Sequence, residues 1–328
     1  MMNDRTMRAV VADGPGGPEV LSVRRIPIPN PRTGWILLRV EAFGLNRSEL
    51  HFRRGVGTFG SFPRVLGIEA AGTVAACPGG EYVVGTQVAA LMGGMGRTID
   101  GGYAEYTCVP ATSVIPFNSA LPWSTLGAVP EMLQTAYGSL TVGVDGRAGQ
   151  TLLIRGGTSS VGLALAVLAR RHGMRVISTT RNIAKVATLG QYADHVVVDD
   201  GTIVDMVRAL APGGVDGAVE LVGTNTLADS LQCVRTHGTV CFTGMLSDQW
   251  TIQDFYPMDF IPNGVRLTAY SGEASNLPSA VLQGFLDDVS ADRAIVPIGC
   301  VYQLDDIVAA HRDMEDGALT GKGVVLTR

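Results

Sequence analysis

The chain has 328 residues, of which 46% are hydrophobic and 17% are charged, and its formal net charge is −5. This composition indicates a folded chain rather than a disordered one, and the acidic balance argues against nucleic acid as a partner. The length exceeds what a single hydrophobic core usually fills, so two domains are expected.

The chain carries no sign of a membrane or secretory segment. No apolar run approaches the length of a membrane span, and the start MMNDRTMRAVV lacks the apolar core of a signal peptide. The five cysteines are scattered and never form C-x-x-C, which favours free thiols over a disulfide framework or a zinc ribbon. We therefore expect a cytoplasmic protein without a membrane partner.

The first third of the chain is predicted to be β structure with many turns. Four stretches have strand-like patterns: Arg8–Ala12, Ile36–Ala42, Glu69–Ala75 and Gln87–Leu91. Glycines crowd residues 92–102, which predicts a mobile loop there. Around residues 121–140 the pattern becomes helical.

A glycine-rich turn follows the apolar strand Leu152–Ile154 and opens a helix with an apolar run over Leu163–Ala169. Strand, tight turn and buried helix in this order predict a dinucleotide-binding unit. Read as G-x-G-x-x-G, Gly157 and Gly162 take the outer positions and Ser159 the middle one, so the match is imperfect. We expect the hydroxyls of Ser159 and Ser160 to donate to a phosphate, with Val161 in the same turn beside the cofactor.

The second strand, Arg175–Thr180, ends in residues that favour NADPH. An acidic residue near this point binds the ribose 2′-hydroxyl in NAD-dependent enzymes. Here the chain has Thr180 and Arg181, with Lys185 one helical turn later, and these donors suit a 2′-phosphate. The alternative is a basic helix start that merely faces solvent.

Strands and helices then alternate at the spacing of βαβ units. Helices are expected over Ala184–Leu189, Ile203–Leu210 and Leu227–Val234, and further strands over His195–Val198, Gly217–Val222, Thr239–Thr243 and Arg266–Tyr270. Together they predict a six-stranded, doubly wound parallel sheet. Ligands bind beyond the carboxyl ends of such strands, so Val222, Gly244 and Met245 are candidate cofactor contacts.

Five segments resemble the medium-chain dehydrogenase/reductase superfamily, specifically its zinc-independent NADPH:quinone oxidoreductases (zeta-crystallin-like). They are RAVVADGPGGPEVLSVRRIPIPNP, RVEAFGLNRSELHFRRG, VLGIEAAGTV, GGTSSVGLALA and GALTGKGVVL. The resemblance implies an α/β fold: a mostly β GroES-like catalytic domain, residues 1–123 completed by 266–328, and an inserted Rossmann domain, residues 124–265. It also implies that the variable loops Phe52–Phe62 and Met92–Gly102 line the substrate pocket.

The resemblance also bears on metal content. Zinc alcohol dehydrogenases carry a cysteine ligand where this chain has Asn46, and a histidine ligand where it has Ile68. Neither residue replaces a zinc ligand well, so no metal is expected. Hydride transfer without zinc favours quinones and α,β-unsaturated carbonyl compounds over simple ketones, because conjugation spreads the negative charge.

Three functions follow from the resemblance. The first is an NADPH-dependent quinone or enone reductase acting on a small molecule. The second is an ene- or ketoreductase that modifies one large natural product. The third is a protein that binds NADPH without turnover, because a fold does not fix a function.

The candidate catalytic residues are Asn46 and His51. The resemblance places Asn46 in the active-site cleft, where its amide can donate to the substrate oxygen; the alternative is turn chemistry after Gly44. His51 stands where many quinone oxidoreductases have tyrosine, and it is either a proton relay or an exposed histidine on a short helix. Thr135 matches a family contact to the nicotinamide.

The sequence gives less specific predictions for the position of three charged residues. Glu69, in an apolar stretch, is expected to have a buried salt bridge or backbone donors. A surface role is favoured for Glu49, and Lys322 is either a family lysine near the cofactor or a solvated side chain. Surface positions are expected for the histidines without ligand spacing, His172, His195, His237 and His311, and a homodimer is expected through the strand Arg266–Tyr270.

Overall fold

The computed structural model describes residues 5–56, 60–319 and 321–328, and the chain forms two compact units. The first unit combines the chain up to Gln134 with Glu273–Arg328, and the second is Thr135–Gly272. These boundaries lie further along the chain than the predicted 123/124 and 265/266. The second boundary differs because the strand Arg266–Ala269 pairs with the sheet of the second unit.

The strands are β1 Thr6–Ala12, β2 Leu21–Pro27, β3 Trp35–Gly44, β4 Arg64–Val65, β5 Glu69–Ala76, β6 Gln87–Leu91, β7 Tyr106–Pro110, β8 Val114–Pro116, β9 Thr151–Arg155, β10 Arg175–Thr180, β11 His195–Val198, β12 Val215–Glu220, β13 Val234–Phe242, β14 Arg266–Ala269, β15 Ile298–Gln303 and β16 Lys322–Leu326. The α-helices are α1 Arg47–Arg53, α2 Trp123–Leu126, α3 Pro130–Gly138, α4 Ser160–Arg171, α5 Val186–Leu189, α6 Val204–Leu210, α7 Thr224–Cys233, α8 Pro257–Phe260, α9 Ser279–Ser290 and α10 Ile307–Glu315.

The first unit is mostly β structure. A seven-stranded sheet has the order β15-β16-β3-β5-β6-β8, with β7 also paired to β3, and a smaller sheet has the order β2-β1-β4. In β3, Ile36, Leu38 and Val40 alternate along the strand and are fully buried in the core, as the two-residue period of a strand requires. The C-terminal strand β16 pairs antiparallel with the end of β3, which brings the last residues of the chain beside the start of α1.

The second unit contains six parallel strands in the order β11-β10-β9-β12-β13-β14. The central strand β9 buries Leu152, Leu153 and Ile154 completely, as expected when helices cover both faces of a parallel sheet. The predicted doubly wound parallel sheet and the separate, mostly β unit are both confirmed. None of the helices in the described ranges is long and apolar enough to cross a membrane.

Some local predictions differ from the structure. The predicted helix over Ala184–Leu189 is a 3₁₀ turn, Ile183–Lys185, followed by the four-residue helix α5. The glycines of residues 92–102 include two that press against backbone: a Cβ on Gly101 would lie 2.2 Å from the carbonyl oxygen of Gly67, and one on Gly102 equally close to that of Glu69. These glycines therefore allow close packing, and the mobility expected of this loop stays a prediction. Residues 57–59 of the predicted loop Phe52–Phe62 lie outside the described residues.

Candidate functional site

The glycine turn of the second unit connects the end of β9 to the start of α4. A Cβ on Gly157 would lie 1.8 Å from the buried Ser178 hydroxyl oxygen, and a Cβ on Gly162 would lie 2.7 Å from the carbonyl oxygen of Gly156. Both positions therefore require glycine, because no side chain fits between the turn, the helix and the neighbouring strand. The two outer glycines of the imperfect pattern thus have the packing function that a dinucleotide-binding turn needs.

Ser159 has a different task from the one the sequence suggested. It is the N-cap of α4: its hydroxyl accepts the N–H of Gly162 at 3.0 Å and donates to the carbonyl oxygen of Gly156 at 2.8 Å. The hydroxyl hydrogen predicted for a phosphate is therefore already used within the turn. Ser160 and Val161, partly exposed in the first helical turn, remain the phosphate-contact candidates, since the positive end of the helix dipole lies there.

The end of β10 carries donors and no carboxylate. Thr180 is buried and its hydroxyl accepts the N–H of Asn182 at 3.1 Å, so it shapes the turn that follows. Arg181 is exposed and Lys185 is partly exposed. An exposed cation after a fixed turn suits a 2′-phosphate, and both roles stay predictions beside the alternative of plain solvent exposure.

The other predicted cofactor residues lie in the second unit at the ends of its elements. The N–H of Val222 donates to the Glu220 carboxylate at 2.7 Å, and that of Gly244 to the Glu220 carbonyl oxygen at 3.0 Å. Glu220 therefore holds both the loop after β12 and the loop after β13, and the second loop also contains Met245. Thr135 is partly exposed at the start of the unit, and the contacts of all four with a cofactor stay predictions.

A buried arginine at the end of β9 was missed by the sequence interpretation. The Arg155 guanidinium is fully buried and makes two hydrogen bonds of 2.9 Å to Asp199 and an ion pair with Asp229. Asp199 follows β11, and Asp229 lies on α7. This network joins the carboxyl ends of the strands beneath the glycine turn. An arginine inside an otherwise apolar strand was the available signal, because a buried charge needs partners.

In the first unit, Asn46 lies at the centre of a buried charge cluster. Its amide nitrogen donates to Glu69 Oε1 at 3.0 Å and to Glu49 Oε1 at 3.2 Å, and its oxygen accepts from the Lys322 ammonium. Only 7% of its surface is exposed. Both amide hydrogens are used by carboxylates, so the predicted donation from Asn46 to a substrate oxygen is not supported by this arrangement.

Lys322 and Glu69 form the ion pair of the cluster. The ammonium lies 2.9 Å from Glu69 Oε1 and 3.3 Å from Glu131 Oε2, and Glu69 Oε2 accepts the backbone N–H of Glu131 at 2.9 Å. Burial alone would lower the pKa of Lys322, but the two carboxylates outweigh it and raise that pKa. The predicted salt bridge and backbone donor of Glu69 are confirmed, and the solvated alternative for Lys322 is wrong.

Glu49 was predicted at the surface, and this is wrong because its side chain is fully buried. Its Oε1 accepts the backbone N–H of Ile68 at 2.9 Å and the amide of Asn46, while Oε2 has no hydrogen-bond partner within the described part of the chain. Burial raises the pKa of Glu49 to about 7, against the lowering effects of the Ile68 N–H and of Arg97. The proton of the neutral form belongs on Oε2, since Oε1 already accepts two donors.

This pKa predicts a pH-dependent stability that Glu49→Gln removes. The folded state binds the proton more tightly than the unfolded chain, so the resulting stability is complete below pH 4.5 and is lost as the pH rises through about 7. The shift corresponds to about 3 kcal/mol. In denaturant titrations from pH 4.5 to 8, the loss of stability should be about 3 kcal/mol smaller in Glu49→Gln than in the wild type and in the exposed control Glu19→Gln; equal pH profiles would contradict the assignment.

The histidines need two corrections. His51, in the last turn of α1, is only 6% exposed, so the alternative of an exposed histidine is wrong, while its proton-relay role stays a prediction. His311 is fully buried in α10, with Nε2 3.2 Å from the Tyr103 hydroxyl, and burial lowers its pKa to about 3. Its surface prediction was therefore wrong. The helical spacing of the buried residues Ile307, Ala310, His311 and Met314 was the missed signal.

The donor chemistry beside Asn46 does not fit a catalytic zinc ion. The two expected ligand positions hold an amide and the apolar side chain of Ile68, and a lysine ammonium already donates to the amide oxygen. A metal cation there would meet a like charge instead of thiolate or imidazole ligands. The described residues also contain no group of three or more His, Cys, Asp or Glu side chains placed to hold a metal.

Comparison with known proteins adds two family matches and full-length relatives. Residues 32–119 match the family described as "Alcohol dehydrogenase GroES-like domain", and residues 191–325 match "Zinc-binding dehydrogenase". Quinone oxidoreductases from Homo sapiens and Lama guanicoe are 28% and 27% identical, covering 98% and 99% of this chain and 98% of each relative. A mycobacterial protein solved in complex with NADPH is 28% identical over 98% of this chain and 99% of its own, with a TM-score of 0.84.

Proposed function

We propose that this chain, which belongs to the medium-chain dehydrogenase/reductase superfamily, transfers a hydride from NADPH to a quinone or another conjugated carbonyl compound. Membership makes the chain an oxidoreductase that uses a nicotinamide cofactor. The choice of NADPH over NADH and the assignment of residues are our proposal. Both parts of the proposal rest on the side chains of the two units.

The observation that carries the proposal is the pair of features at the carboxyl ends of β9 and β10. The first is a turn whose Gly157 and Gly162 leave no room for side chains, followed by a helix that presents free N–H groups to an anion. The second is the exposed Arg181 where an NAD-binding strand would carry a carboxylate. Bound there, NADPH would supply a hydride from C4 of its nicotinamide.

The first unit supplies the substrate side of the reaction without a Lewis acid. In the absence of zinc, the negative charge that develops on the acceptor oxygen must be met by hydrogen-bond donors. We assign Asn46 the task of holding the buried carboxylates Glu49 and Glu69 beside Lys322, whose ammonium offsets part of their negative charge. We assign His51 the delivery of a proton to the reduced product.

The assembly is proposed to be a homodimer formed through β14. This strand pairs with β13 on one side and is the last strand of its sheet in the described structure. An open edge needs a partner or protection, and antiparallel pairing with a second copy would provide one.

The test is an anaerobic assay of NADPH oxidation with simple quinones, 2-alkenals and cyclic enones, after dialysis against a chelator. The proposal expects turnover with conjugated acceptors that survives chelation, and much slower turnover with saturated ketones. NADPH binding without oxidation by any acceptor would favour a non-catalytic NADPH-binding protein, and turnover confined to one bulky acceptor would favour a dedicated natural-product reductase.

A further inference from the structure

Arg97 is a cation whose side chain is fixed by several contacts and which has no role in the hydride transfer described above. It lies between β6 and β7, in the loop packed by Gly101 and Gly102, and is partly exposed. Its Nη2 donates to the carbonyl oxygen of Ser48 at 2.7 Å and to the Ser48 hydroxyl at 2.6 Å, and Nη1 donates to the carbonyl oxygen of Gly96 at 3.1 Å. The guanidinium carbon lies 4.5 Å from the centre of the Phe52 ring. These contacts fix the orientation of the guanidinium on α1.

Within the described residues, the partly exposed Arg97 forms no ion pair with a carboxylate, unlike the buried cations of this protein. Arg53 pairs with Glu315, Arg155 with Asp199 and Asp229, and Lys322 with Glu69 and Glu131. No carboxylate lies within ion-pair distance of Arg97 in the described ranges, although burial lowers its pKa. Glu49 acts on Arg97 through space without bonding to it, so the guanidinium keeps capacity to bond a further negatively charged oxygen.

Two of the five N–H hydrogens of Arg97 have no acceptor in the described structure. Ser48 takes the two on Nη2 and Gly96 takes one on Nη1, which leaves the Nε hydrogen and the second on Nη1. These donors lie beside Ser48, two residues from Asn46. The positive charge also acts on Glu49 and opposes the burial that raises the pKa of that carboxyl.

Two polar side chains near Arg97 are already bound to other groups. Both amide hydrogens of Asn46 go to carboxylates, and the Lys322 ammonium is 4% exposed and held by Glu69, Glu131 and Asn46. Arg97, in contrast, is partly exposed and has unused donors beside α1.

We propose that Arg97 donates a hydrogen bond to the carbonyl oxygen of the acceptor and stabilises the negative charge that forms there. This inference rests on the proposed hydride transfer and names the group that replaces the missing Lewis acid. The β carbon of an enone gains a hydride, which carries two electrons and one proton. The π electrons then move onto the carbonyl oxygen. A proton delivered by His51 and replaced from solvent then reaches the α carbon, so one NADPH and one H⁺ are consumed per NADP⁺ and saturated carbonyl formed, while Arg97 keeps its protons.

The experiment compares Arg97→Met, Arg97→Lys and Arg64→Met as purified full-length proteins. Arg64 bonds Asp100 of the same loop at 3.1 Å and Ser61, so its loss tests loop anchoring without removing the cation beside Ser48. For a cyclic enone we expect kcat of Arg97→Met to fall on the order of 100-fold, as for other lost oxyanion donors. Arg97→Lys should recover about tenfold of that loss by keeping the charge, and Arg64→Met should stay near the wild type.

Two further measurements separate chemistry from structure. The Kd for NADPH should be unchanged in Arg97→Met, and the loss of kcat should be larger for enones than for quinones, whose product anion spreads its charge over a ring. A kcat of Arg97→Met equal to the wild type, or an equal loss in Arg64→Met, overturns the inference and leaves the proposed function standing. If none of the acceptors leads to oxidation of NADPH by the wild-type protein, both the inference and the proposed function are overturned.

Discussion

Lys322→Met is expected to cost about 3–5 kcal/mol of unfolding free energy, because it leaves the Glu69 and Glu131 carboxylates close together in a buried site without their cation. The cost should be smaller at pH 5 than at pH 8. Burial and the charge of Glu131 already raise the pKa of Glu69, and loss of the ammonium raises it further, so a proton can neutralise the carboxylate at the lower pH. Denaturant unfolding at the two pH values measures both effects.

Two further variants serve as controls for this result. Arg39→Met breaks the ion pair to Glu41 on β3 of the same unit, but the Arg39 side chain is 42% exposed, and the cost should be below about 1 kcal/mol. The double variant Lys322→Met, Glu69→Gln should be more stable than Lys322→Met alone, because it removes one of the two carboxylates left without a cation. A cost of Lys322→Met no greater than that of Arg39→Met would show that the pair is not buried as described.

Arg181→Asp is expected to raise the Kd for NADPH on the order of 100-fold and to leave the Kd for NADH nearly unchanged. The substitution removes a charged donor for the 2′-phosphate and adds a carboxylate that repels it, and the two effects together are worth about 3 kcal/mol. NADH has no 2′-phosphate, and the new carboxylate can accept a hydrogen bond from its ribose hydroxyl. Fluorescence titration of both cofactors gives the two constants.

Arg175→Asp is the matched control for cofactor choice. Arg175 is exposed at the opposite end of the same strand, where its guanidinium donates to the carbonyl oxygen of Leu210 at 3.2 Å. The same charge change there should alter the two Kd values by a similar small factor. An equal loss of NADPH and NADH binding in Arg181→Asp would refute a contact with the 2′-phosphate.

The second unit was predictable from the sequence because its signals are local. Its strands contain short apolar runs, most of its crossovers contain a helix near the expected position, and the glycines of the turn are close together in the chain. The crossover after β10 differs, since it is a 3₁₀ turn and the four-residue helix α5. The role of Ser159 was not predictable, because a serine there fits both a phosphate donor and a helix N-cap. Only the bonds to Gly156 and Gly162 distinguish these roles.

The charge cluster of the first unit was predictable only in part because its members are far apart in the chain. Lys322 reaches Asn46 through the pairing of β16 with β3, a contact between residues 276 positions apart. Carboxylates are mostly exposed in proteins, so the complete burial of Glu49 had no local signal. Glu69 was recognised correctly, since apolar neighbours surround it in sequence as well as in space.

The most direct test of a metal-free hydride transfer follows the hydride itself. The chelator-treated protein is incubated anaerobically with a cyclic enone and NADPH that carries deuterium in the transferable position at C4, and the product is analysed by mass spectrometry and NMR. We predict one deuterium at the β carbon of the saturated product, at a rate that added zinc does not increase. Oxidation of the cofactor without deuterium in the product, or transfer only after zinc is restored, would contradict this account.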